Sequence, residues 1–96
     1  MDEKAIEARF VHKARGAGAL AIKFISPGNA GVPDRVIFAP NGRVYFAEIK
    51  APGKKPSKLQ EKWKAKIESY TGGEVWIIDS YEDIDDFIQA LGSVQK

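Results

Sequence analysis

At 96 residues the chain has room for one small domain and no separate regulatory module. Its 44% apolar and 29% charged residues exclude wholesale disorder, and the absence of cysteine excludes disulfide scaffolds and thiolate-held zinc or iron–sulfur sites; with a single histidine, any metal would be held by oxygen. The net charge of +2 conceals an asymmetry: Lys54 to Lys66 holds six lysines against Glu61, whereas Asp79 to Lys96 holds five acids against one lysine, so a polyanion suits the first block and is repelled by the second.

The opening MDEKAIEARF is charged and lacks an apolar segment, so no secretory leader is expected, and no apolar run reaches the roughly 18 residues of a membrane helix. A first helix is predicted from about Asp2 to Arg15, with acids in its first turn, His12, Lys13 and Arg15 in its last, and Gly16 and Gly18 as a stop. Ile6, Phe10 and Ala14, with Val11 beside them, form its buried stripe. Ala19 to Ile25 reads as a strand, followed by a loop from Ser26 to Pro33.

Two strands follow, Asp34 to Ala39 and Val44 to Lys50, joined by Pro40-Asn41-Gly42. Asn-Gly alone suggests a two-residue turn that sets Arg35 opposite Glu48. Proline, however, fixes φ near −65°, which fits the first central position of a type I turn. With Gly42 in the left-handed region the hairpin has three loop residues and a bulge, Ala39 pairs with Arg43, and Asp34 falls opposite Glu48. Only this register uses Pro40 well, and it puts Asp34, Glu48 and Lys50 on one face.

Residues 51–56 form a loop. Ser57 and Gln60 then make a capping box for a helix to about Tyr70, with Leu59, Trp63, Ile67 and Tyr70 as its buried side. Glu74 to Asp79 is a fourth strand, apolar enough to be buried on both faces. Ser80 with Asp83 opens a last helix through about Leu91 that buries Ile84, Phe87, Ile88 and Leu91. The order α-β-β-β-α-β-α describes one α/β domain, residues 1–96, with a mixed sheet.

Asp34 and Glu48-Ile49-Lys50 carry the chemistry. These charges sit in or beside strands that otherwise read as core, and an unpaired buried carboxylate costs several kcal/mol. Two facing carboxylates repel, which favours a divalent ion between them, and all-oxygen ligation selects Mg²⁺ or Mn²⁺. Beside such an ion, Lys50 suits a phosphate oxygen or a water of lowered pKa, the requirements of phosphodiester hydrolysis. The competing reading is a salt bridge at the strand edge between Lys50 and Asp34 or Glu48.

Gly31-Val32-Pro33-Asp34, Phe46-Ala47-Glu48-Ile49-Lys50 and Ser57-Lys58-Leu59-Gln60 together resemble the VRR-NUC (virus-type replication-repair nuclease) domain of the PD-(D/E)xK nuclease superfamily, over nearly the whole chain. The resemblance implies a restriction-endonuclease-like core and divalent-metal-dependent DNA cleavage. It also implies a phage or bacterial intracellular setting, and for stand-alone members a homodimer acting like a Holliday junction resolvase. Asp34, Glu48 and the Ile49 carbonyl then correspond to metal ligands, and Lys50 to the catalytic lysine. Glu7, or alternatively Glu3, matches the first-helix glutamate that reaches the metal, often through water. Gln60 matches the glutamine after the core motif, a role compatible with its capping box. Lys54, Lys55 and Lys58, just past the catalytic strand, are placed for DNA phosphates. His12, Trp63, Trp76 and Tyr45 read as structural. Two other functions stay open: a non-catalytic nucleic-acid-binding module, and a nuclease for RNA or linear DNA ends.

Overall fold

The computed structural model describes residues 1–93; residues 94–96 of the expected single domain lie outside them. Seven elements follow in the predicted order: α1 Glu3–Gly16, β1 Leu20–Lys23, β2 Arg35–Phe38, β3 Val44–Ile49, α2 Lys58–Thr71, β4 Val75–Ile78 and α3 Tyr81–Ser93. The strands lie in the sheet in sequence order, β1-β2-β3-β4. The first two pairings are antiparallel, as hairpin-sized loops permit. The last is parallel, because α2 carries the chain back to the end of the sheet at which β3 begins.

The β2–β3 turn has the three-residue form. Ala39 N–H donates to Arg43 O at 2.9 Å, Gly42 N–H donates to Ala39 O at 3.0 Å, and Gly42 has φ +86°. Arg35 consequently pairs with Ala47, and the ladder extended by one step sets Asp34 across from Glu48.

Parity along the strands separates two unlike faces. Ala21, Ile37, Tyr45, Ala47, Ile49 and Ile78 point to the side where α1 and α3 pack, and with Ile6, Phe10, Ala14, Ile84, Phe87 and Leu91 they make the core. Phe87 is its hub, with ring centroids 5.1, 5.6 and 5.3 Å from Phe10, Tyr45 and Trp76. Each such fully buried side chain contributes about 1.5–3 kcal/mol. Asp2 caps α1 by accepting from Ala5 N–H. Ser80 accepts from Asp83 N–H at 3.0 Å, while the Asp83 carboxylate accepts from Asp79 N–H at 3.1 Å, one residue ahead of the cap nitrogen that a capping box would engage.

The second face is covered by α2 alone, and here the expected burial fails. No residue of α2 is buried: Trp63 and Ile67 are half-buried, Leu59 is exposed, and Tyr70 is 82% exposed. The helix lies over the β3–β4 side, where the Glu68 carboxylate accepts from Val75 N–H at 3.0 Å. It leaves β1 and β2 without a cover on that side. The edge strand β4 is only part-buried, with Val75 and Ile78 enclosed and Trp76 and Ile77 half-enclosed.

Candidate active site

The second face is apolar in successive rows until it reaches the end of β3. There Asp34 and Glu48 sit side by side, with Phe24 next to Asp34, whose C=O accepts from Phe24 N–H at 2.9 Å, and Ile77 next to Glu48. Asp34 is fixed by a backbone donor: Ile49 N–H donates to its Oδ2 at 2.8 Å. Glu48 is 2% exposed, and its Oε2 is buried with no hydrogen-bond partner. The Lys50 ammonium lies 3.8 Å from that oxygen, close enough for charge attraction and too long for a hydrogen bond.

Burial and repulsion act together on these acids. Loss of water, and then the nearby Asp34 charge, push Glu48 up to about 7, with Lys50 offsetting part of the rise. Burial also holds Asp34 above its ordinary value, against the opposing effect of the Ile49 N–H bond. A buried oxygen without a donor, facing a second carboxylate, is a site short of positive charge. Its donors are hard oxygens, which fit Mg²⁺ or Mn²⁺.

Glu7 is engaged elsewhere. Its Oε2 accepts from Arg35 Nε at 3.0 Å, and both side chains are largely enclosed. The Glu7 charge still falls on Asp34, and that of Glu3 falls on Glu48, each raising the affected carboxyl. Among the described residues no three His, Cys, Asp or Glu side chains cluster so as to hold a metal. Asp34 and Glu48 thus offer two side-chain oxygen donors rather than three. Arg35 was not anticipated as part of this neighbourhood. The available signal was its parity: directly after Asp34, it must point to the α1 side, where Glu7 is the acid facing the sheet.

Gln60 does complete the capping box, with Ser57 N–H donating to its Oε1 at 2.8 Å and its own N–H donating to Ser57 Oγ at 3.2 Å. The first turn of α2 is tied to the loop that carries Asp34. Gly31, at φ +95°, lies so near Leu59 that an added Cβ would come within 2.8 Å of Leu59 Cγ and 3.1 Å of its carbonyl carbon. Lys54, Lys55 and Lys58 are exposed; the first two line a cleft with Lys64, Asp79, Asp83 and Ile77, the strand neighbour of Glu48. His12 is exposed in the last turn of α1.

No family model matches the chain. A curated protein named putative nuclease p44, from Acyrthosiphon pisum secondary endosymbiont phage 1, is 40% identical over 89 residues, covering 93% of this chain and 94% of that protein. A solved structure described as a VRR_NUC domain superposes with a TM-score of 0.80 at 24% identity, covering 91% of this chain and 94% of its own, and so shares the fold. Taken with the motifs around Asp34 and Glu48, these likenesses show that the chain belongs to the VRR-NUC family.

Proposed function

We propose that this nuclease domain is a divalent-metal-dependent endonuclease that hydrolyses phosphodiester bonds of branched DNA inside a bacterial or phage-infected cell, working as a homodimer. The observation that carries the reading is the enclosed, unpartnered Oε2 of Glu48 beside Asp34 and Lys50. A binding-only domain has no use for two carboxylates that repel phosphate.

Asp34, Glu48 and the Ile49 carbonyl would hold the ion, with Glu7 reaching it through water. Mg²⁺ or Mn²⁺ bound there would supply charge for the developing phosphorane-like centre and lower the pKa of a water. Glu48, held up at about 7 without an ion, would have to lose its proton to serve as a ligand, so metal binding would be favoured as pH rises through that value. The Ile49 N–H bond holds Asp34 in one orientation. Lys50, 19% exposed at its side chain, is open enough to meet a phosphate oxygen and close enough to share the charge of Glu48. Gln60, at the helix N-terminus, adds an anion-friendly end beside the scissile strand. Lys54, Lys55 and Lys58 give sequence-independent grip on the backbone.

The test is a gel assay of the purified protein on linear duplex, single strand, flap and four-way junction, with Mg²⁺, Mn²⁺ or EDTA. Metal-dependent cutting of the branched substrates is expected. Equal cutting in EDTA rules out the metal reading, and preference for linear ends or RNA rules out the branched substrate.

A further inference from the structure

We infer that the groove between α2 and the second sheet face binds the unpaired bases of a single-stranded DNA segment. Phe24 and Phe46 line it from the sheet, their ring centroids 5.9 Å apart, and Trp63, Ile67 and Tyr70 line it from α2. Phe24, Phe46 and Trp63 are half-buried, whereas Tyr70 is 82% exposed. The Lys66 ammonium completes the lining, 5.1 Å from the centre of the Trp63 ring. The groove has a volume of about 380 Å³, within the roughly 300–1,000 Å³ of ligand sites.

Rings, charge and position together select the occupant. Every base offers a π-face, and stacking on an aromatic side chain is worth about 1–3 kcal/mol per base with little regard to sequence. A duplex keeps its bases stacked on one another, so only unpaired nucleotides can present those faces. Each base also brings a phosphate. Among the described residues lining the groove there is a lysine and no acid. The cleft that holds Lys54 and Lys55 differs, since Glu61, Glu68, Asp79 and Asp83 line it too. An apolar peptide would use the rings and give the Lys66 ammonium no anion. A single strand uses both, its bases against the rings and a phosphate oxygen on the ammonium.

The consequence for substrate choice rests on the nuclease reading. Phe24 N–H donates to the Asp34 carbonyl at 2.9 Å. Phe46 stands two residues before Glu48 on the same face, a step of about 7 Å along the strand. That step is about two base spacings of 3.4 Å. A strand with one phosphodiester at the acid pair thus reaches the groove within about two nucleotides. Substrates carrying unpaired nucleotides beside the cut are therefore bound better than fully paired ones.

Anisotropy titrations of labelled oligothymidylate in EDTA test the groove without cleavage. Tyr70→Ala is expected to weaken single-strand binding by roughly 5–150-fold, the range for one lost stack, and to leave duplex binding within about twofold. Tyr70→Trp should restore the affinity. Because the side chain is 82% exposed, both variants should keep the wild-type far-UV circular dichroism. Lys66→Ala is expected to lower the slope of log affinity against log salt by about 0.7. An abasic strand of equal length should bind wild type no better than oligothymidylate binds Tyr70→Ala. Equal single-strand affinity in wild type and Tyr70→Ala overturns the inference, as does an abasic strand held as tightly as oligothymidylate. Tyr70-dependent binding to lipid vesicles in place of oligonucleotide gives the groove to a membrane and overturns it too. Glu48→Gln is expected to lose cutting yet keep the Tyr70-dependent binding. A wild type that shows this binding but cuts nothing with Mg²⁺ or Mn²⁺ would end the nuclease reading and leave the groove standing.

Discussion

Glu48→Gln should make the metal-free protein more stable, by an amount that depends on pH. Its carboxyl is raised from 4.5 in a free chain to about 7 in the fold. Below pH 4.5 the group is protonated in both states and costs nothing. As pH climbs from 4.5 to 7 the unfolded chain releases the proton while the fold retains it, so the stability contribution is progressively lost, and above 7 the loss is complete. At about 1.36 kcal/mol for each pKa unit, the rise from 4.5 to about 7 corresponds to an upper figure of about 3 kcal/mol. A neutral amide of the same shape escapes it. Thermal melts in EDTA at matched protein concentration should therefore show the variant and wild type alike near pH 4.5. By pH 8 they should separate by up to about 12–24 °C in favour of the variant, given roughly 4–8 °C per kcal/mol for a domain of this size. Added Mn²⁺ should close most of the gap, since an ion at a hundred times its Kd returns about 2.7 kcal/mol to wild type alone. Parallel pH curves for the two proteins would refute the argument that Glu48 is held in a charge-starved pocket.

Three further outcomes are expected. Lys50→Ala should slow single-turnover cleavage while leaving Mn²⁺ affinity by calorimetry nearly unchanged; a wild-type rate removes Lys50 from the chemistry. Replacing Lys54 and Lys55 together with alanine should lower the slope of log affinity against log salt by up to about two, and an unchanged slope would put the DNA elsewhere. Gly31→Ala should cost about 1–3 kcal/mol in denaturant melts, because the new Cβ meets Leu59 and the backbone stays left-handed. Leu59→Ala should relieve part of that cost, and strictly additive effects would show that the contact carries no energy.

The hairpin register was legible because one residue, Pro40, restricts the turn, and a turn one residue shorter would have moved Glu48 away from Asp34. The single-faced placement of Asp34, Glu48 and Lys50 follows from that register together with strand parity. What α2 covers was not legible. Leu59, Trp63, Ile67 and Tyr70 announce an apolar helical stripe, but periodicity cannot say whether a four-strand sheet has a second helix to share its outer face. Two features around the acids were equally hidden. The Ile49 N–H that holds Asp34 is a backbone group that any residue would provide. The Glu7–Arg35 pair spans 28 positions of sequence and depends on how α1 lies across the sheet.

The meeting of Gly31 with Leu59 bears on how such a chain can drift. Position 31 takes part in no chemistry, yet it is boxed in by a neighbour's main chain as well as by its side chain. Shrinking residue 59 leaves the peptide carbonyl still in the way. The glycine before Val32-Pro33-Asp34 is thus kept by the shape of the helix it rests on, and descendants that replace it must first reroute the loop delivering the aspartate.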